Sequence, residues 1–131
     1  MNRTPVNPWQ WSLHVGYNQG EILEGSKRQL NCAGQTAVDS EGKPQHPNDM
    51  RAQLNLALDN LEAVLNGAKM SFADLTRLSI YTTDTEEAMK HFDLMGMRLG
   101  AVGATPPTTL LGVSSLAFPE LMIELEATAA D

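Results

Sequence analysis

Cysteine is almost missing: among 131 residues only Cys32 occurs. That excludes an internal disulfide and a multi-cysteine metal site, and it points to a reducing compartment. Histidine is scarce too, and His14, His46 and His91 show neither HxH nor HxxxH spacing, so no zinc-type ligand set is expected. Positive charge is thin. Nine Lys and Arg stand against 16 Asp and Glu, for a formal net charge of −7. Apart from Lys27–Arg28 they are scattered singly, which excludes the basic stripe that a phosphate backbone needs; no nucleic acid partner is expected. No apolar run approaches the roughly 20 residues of a membrane span, and the segment after Arg3 is not an apolar leader. The expectation is therefore a cytoplasmic protein without a membrane partner. Gly96, Gly100 and Gly103 lack the spacing of a phosphate-binding loop, and no GxSxG nucleophile turn occurs.

What is present is enough to fold. The length and a 42% hydrophobic composition fit a single domain over residues 1–131, with one core and no linker or repeat. Both tryptophans fall in Asn7-Pro8-Trp9-Gln10-Trp11, which predicts an ordered, extended arm. Gly16–Leu23 and Arg28–Ala33 read as antiparallel strands of one hairpin, joined by Glu24-Gly25-Ser26-Lys27. Gly34–Asn48 is a loop by composition. Leu54, Leu58, Leu61, Leu65 and Ala68 recur every three or four residues, the stripe of an amphipathic helix over about 49–69, with Asn48 or Asp49 as its cap. Leu75–Thr82 alternates as a strand. A second helix should start at the capping-box residues Thr83–Glu87 and carry Ala88, Phe92, Met95 and Leu99 on one face. Thr108–Leu116 and Leu121–Thr128 are the last two strands. The order ββαβαββ predicts an α+β fold: a mixed sheet with both helices on one face and the other face open.

Along the last strand Ile123, Leu125 and Ala127 face one way, and Met122, Glu124, Glu126 and Thr128 the other. Leu110 and Leu116 are expected to join Met122 and Glu124 on the open face, which would make it half apolar and suited to a symmetric assembly. Glu124 and Glu126 have two readings. They are a solvated strand edge, or one of them lies in a pocket between subunits, where desolvation raises its pKa toward neutrality and fits it for acid–base work. Cys32, among apolar neighbours on a strand, reads as a small buried hydrophobe.

Taken in order, Gly16-Tyr17-Asn18-Gln19-Gly20, Ala33-Gly34-Gln35, Asn60-Leu61, Ile80-Tyr81-Thr82-Thr83-Asp84 and Ile123-Glu124-Leu125-Glu126-Ala127 resemble the Rid family, also called YjgF/YER057c/UK114 or L-PSP, over about Trp11 to Thr128. The resemblance implies a chorismate-mutase-like fold, a homotrimer with a barrel-like interior, and small-molecule ligand pockets at the subunit interfaces. It also implies enamine or imine hydrolysis without metal or cofactor. Carried over residue by residue, it makes Glu124 the catalytic group and Tyr17 and Gly34 ligand contacts, with Thr108 and Leu110 as further substrate contacts. Deaminating members carry an arginine that grips the substrate carboxylate where this chain is aligned to Thr108. One neutral hydroxyl in place of a guanidinium forfeits about 10- to 150-fold in affinity for a carboxylate, so the usual 2-aminoacrylate is not the expected substrate. A non-catalytic metabolite- or partner-binding module of the same fold is the alternative, with ribonuclease third.

Overall fold

The computed structural model describes all 131 residues. A long helix α1 (Met50–Gly67) packs on a five-stranded sheet in which β3 (Gln29–Asn31) and β4 (Gln35–Thr36) both pair with β7 (Ile123–Ala130). β7 then pairs antiparallel with β5 (Leu75–Thr82), and β5 pairs parallel with the edge strand β6 (Thr108–Gly112). The sheet is thus mixed, with its helices on one face, as its pattern predicts.

Helix α1 forms where its leucine stripe requires. The Asp49 carboxylate accepts from the Ala52 N–H at 3.0 Å, closing the first turn, and Leu54, Leu58, Leu61 and Leu65 are fully buried. Against them lie Leu78 and Ile80 of β5 and Ile123, Leu125 and Ala127 of β7, the inward set of two alternating strands. Cys32 joins this core, as its apolar surroundings suggest.

Three expectations are corrected. The second helix is two: α2 (Thr85–Met89), capped by Asp84, and α3 (Phe92–Gly100), separated at Lys90–His91. Ala88, Met95 and Leu99 still face the core, so the break changes direction without changing the buried face. The predicted hairpin is absent. β2 (Gly20–Glu24) pairs with an N-terminal strand β1 (Asn2–Val6), while β3 pairs with the end of β7. The physical cause is competition for hydrogen bonds: the Lys27 and Arg28 N–H groups donate to the Asp131 carbonyl, and Arg3 on β1 reaches Glu21 at 2.8 Å. Finally, the arm Asn7–Trp11 is not extended: Pro8–Gln10 bends and leads into the turn that follows. Trp11–Val15 is a tight helical turn, and Trp9 and Trp11 are exposed, Trp11 standing edge-on to Tyr17 with ring centroids 6.0 Å apart.

A buried glutamine joins helix to sheet. Gln53, fully buried on α1, donates to the carbonyls of His46 (3.1 Å) and Glu120 (2.7 Å) and accepts from the Met122 N–H at 2.8 Å. All its contacts are backbone groups of loops that lead into α1 and β7, so one side chain sets where both elements begin.

Candidate functional site

Strand alternation sorts the candidate residues onto two faces. On β7, Ile123, Leu125 and Ala127 are buried under the helices, which turns Glu124, Glu126 and Thr128 to the open face. Opposite them on β5 stand Tyr81, Ser79 and Arg77 respectively. On β6 the residues level with Ser79 and Tyr81 are Thr109 and Leu111. Thr108 and Leu110 instead pair with Leu78 and Ile80 and share their helix-side face.

That register separates residues expected together. Thr108 and Leu110 point away from Glu124, and the Thr108 hydroxyl is already donated to the Pro106 carbonyl at 2.8 Å. They line, with Tyr17, a largely apolar cavity of about 440 Å³ between α3, β6 and the Trp11–Tyr17 segment. A one-residue step along a strand exchanges faces, so Thr109 is the β6 threonine on Glu124's side. The half-apolar open face is corrected too: Leu110 is on the helix side, Met122 precedes β7 and packs against the core, and β6 ends at Gly112, before Leu116. Leu111 remains as an exposed apolar side chain there.

Glu124 and Gly34 are brought together. Asn31 lies opposite Thr128 and Gln35 opposite Leu125, so four steps along one strand answer three along β7, a bulge of one extra residue at Cys32–Gly34. The bulge lays Gly34 on the Glu124 side chain so closely that a Cβ there would stand 2.1 Å from Glu124 Oε2 and 2.7 Å from its Cδ. What glycine supplies here is space for the Glu124 carboxylate, not a special backbone angle. Glu124 itself is half-buried, and neither carboxylate oxygen has a hydrogen-bond donor within the chain. Burial, and then the negative Glu126 two residues along, push its carboxyl above the ordinary glutamate range. Glu126 is treated differently: it is exposed, and its Oε1 accepts from the Tyr81 hydroxyl at 2.9 Å. One carboxyl is held without a partner and the other is satisfied.

Nothing in the chain gathers three or more His, Cys, Asp or Glu side chains into a metal-binding group. No helix is long and apolar enough to cross a membrane.

The family model described as endoribonuclease L-PSP matches residues 12–131. The crystal structure of YyfB from Yersinia pestis, a protein of the conserved Rid family, superposes with a TM-score of 0.86 at 34% identity, covering 99% of both chains. The chain belongs to the Rid/YjgF family. Among curated relatives, the mitochondrial protein mmf2 of Schizosaccharomyces pombe is 27% identical over 131 residues, the full length of both. Escherichia coli TdcF, solved with bound serine, is 25% identical with a TM-score of 0.71 over 88% of this chain and 87% of its own. As a Rid-family fold, the molecule keeps the sheet with its helices on one face, and that leaves Glu124 on the uncovered face.

The Rid resemblance supplied Glu124, Gly34 and Tyr17. It did not supply Gln53 or the bulge. Gln53 was legible only as a polar residue inside an apolar helix stripe, one position before Leu54. The bulge left no signal, because it depends on pairing two short strands with a distant third.

Proposed function

We propose that this protein is a cofactor-independent imine or enamine hydrolase, with Glu124 as its acid–base group. The observation that carries the reading is the Glu124 carboxyl: half-buried, without a hydrogen-bond donor, raised in pKa and held under Gly34. A carboxylate whose affinity for a proton is raised by burial can take a proton from water as the water oxygen bonds to a protonated imine carbon. It then returns that proton to the nitrogen, and ammonia leaves as the carbonyl forms. The hydroxyl proton goes to the departing ammonia, so protonated imine and water become carbonyl and ammonium, with no electrons exchanged.

The chain is read as a homotrimer with its ligand pockets between subunits, on the strength of the family likeness. Sedimentation velocity should then give three times the 14.3 kDa monomer mass. A reducing compartment such as the cytoplasm suits the single buried thiol of Cys32. The Tyr17 ring closes the helix-side cavity with Thr108 and Leu110 in one chain, so in this reading these three contact substrate only where a second subunit brings them to Glu124.

The test feeds imines generated in situ by an amino-acid oxidase, in parallel with imines that bear no carboxylate, and follows ammonia release. Glu124→Gln should lose about 10²-fold or more in kcat, the scale of a general acid–base group. An unchanged rate in that variant sinks the assignment.

Non-catalytic binding of a small metabolite is the second reading. It is favoured by the absence of a cation on β6 beside Glu124, where Thr109 and Leu111 stand, and by the serine bound to the relative TdcF. Ribonuclease activity, which the family description names, is opposed by the −7 net charge.

A further inference from the structure

The helix-side cavity of about 440 Å³ lies across the sheet from Glu124. All its walls belong to one chain: α3 and the loop after it, Ile80 of β5, Leu110 of β6 and the Trp11–Tyr17 segment. No acidic, basic or amide side chain lines it. Its two threonine hydroxyls are engaged within the chain, Thr108 donating to the Pro106 carbonyl at 2.8 Å and Thr105 accepting from the Asn18 amide at 3.0 Å. Water in such a space finds few partners, and an apolar cavity of this kind takes an apolar guest instead.

The sequence of α3 keeps the space open. Its core face carries Met95 and Leu99. Phe92, Gly96 and Gly100 follow one another at steps of four along the neighbouring face, and all three border the cavity. A Cβ at Gly96 or Gly100 would meet nothing within 4 Å, and neither glycine has a positive φ. Neither crowding nor backbone geometry therefore asks for glycine here, and glycine weakens a helix relative to most side chains. What the two glycines provide is volume that larger side chains would occupy. The mouth is apolar too: Trp11, Val15 and Met89 border the cavity and are each more than half exposed.

We propose that this cavity binds an uncharged aromatic compound of one or two rings. Charge is excluded because an ionised group would lie among these walls without a partner. Rings are favoured because Trp11, Tyr17 and Phe92 offer aromatic partners and Met95 a sulfur, contacts that add to simple burial. Size follows from volume. An apolar cavity of about 150 Å³ holds benzene, so 440 Å³ accommodates a fused pair of rings. The volume also falls within the roughly 300–1,000 Å³ range of small-molecule sites. The proposal goes beyond the hydrolase reading and holds whether or not Glu124 is catalytic.

Isothermal titration calorimetry of the full chain with indole as the probe, beside indole-3-acetate and tryptamine, reads binding without turnover. Indole should bind once per chain, and the acid and the amine at least about 10-fold more weakly. Gly96→Leu and Gly100→Leu each place a branched side chain in the cavity and should weaken indole at least about 10-fold. Because leucine favours helix and its Cβ meets open space, both variants should melt no lower than wild type. Glu124→Gln should leave indole affinity within about twofold, so failure of the hydrolase reading and failure of this one are told apart. Absent indole binding, tighter binding of the acid, indole affinity unchanged in both leucine variants, or a lower Tm in both overturns the proposal. So does an altered sedimenting mass in a leucine variant, because a second copy of the chain would then be what fills the cavity.

Discussion

Replacing Gly34 with alanine separates the role of Glu124 from the stability of the fold. The new methyl group would sit 2.1 Å from Glu124 Oε2 and 3.2 Å from its Cγ. An ordinary non-bonded separation is near 3.5 Å, so the carboxylate must retreat by at least about 1 Å. It can do so cheaply, because the clashing atoms are the mobile end of a side chain bordering solvent. A rotamer adjustment costs about 0.5–1.5 kcal/mol, and the reduced freedom of the unfolded chain returns about 0.4–1 kcal/mol. Gly34 has no positive φ, so the backbone accepts alanine. The two contributions nearly cancel, and Tm should move by no more than about 3 °C. Activity should not be spared: a misplacement of this size costs about 10²-fold. The displaced carboxyl would also be better solvated, so the acidic limb of the pH–rate profile should move to lower pH. The assay is ammonia release across pH, alongside a thermal melt of the same preparation. An unaltered kcat would show that the carboxylate position is irrelevant to chemistry. A fall in Tm beyond about 10 °C would show that Gly34 serves the fold instead.

Glu124→Gln carries a stability signature of its own. Because the folded state raises this pKa, the native protein holds the proton more tightly than the unfolded chain, and stability is lost as pH rises through the folded value. The glutamine variant lacks that loss, so its Tm relative to wild type should increase from about pH 4 toward pH 7; a constant difference contradicts the burial argument. Gln53→Leu removes the partner of two carbonyls and one N–H that the glutamine now satisfies. Chemical denaturation should show a loss of about 1–3 kcal/mol, whereas a near-neutral result would mean that water or the loops replace these bonds. Gly96→Ala fills open space, since a Cβ there meets nothing within 4 Å. It should stabilise α3 by about 0.5–1 kcal/mol, read as a rise of a few degrees in Tm, and a fall would show that the flanking cavity needs the glycine.

Much of the fold was written locally. The leucine stripe of α1, the alternation of Leu75–Thr82 and Ile123–Ala127, and a cap at Asp49, one of the two offered, each depend on residues no more than four apart, and all appear as read. Glu124's outward direction follows from the same period of two. What failed was pairing. Whether β2 would bond β3 or β1 turned on Arg3 and on the Asp131 carbonyl, some 18 and 103 positions away from their partners, and no local pattern reports such distances. The candidate site divides along the same line. Sequence alone determined that a carboxylate pair projects from one face of the last strand in an acidic, cysteine-poor, helix-covered sheet. Only tertiary structure decided which carboxyl is left without a donor, that Gly34 closes over it, and that Thr108 lies on the far side. These are properties of register. Register is fixed by where distant strands meet, and a single slipped residue exchanges the two faces.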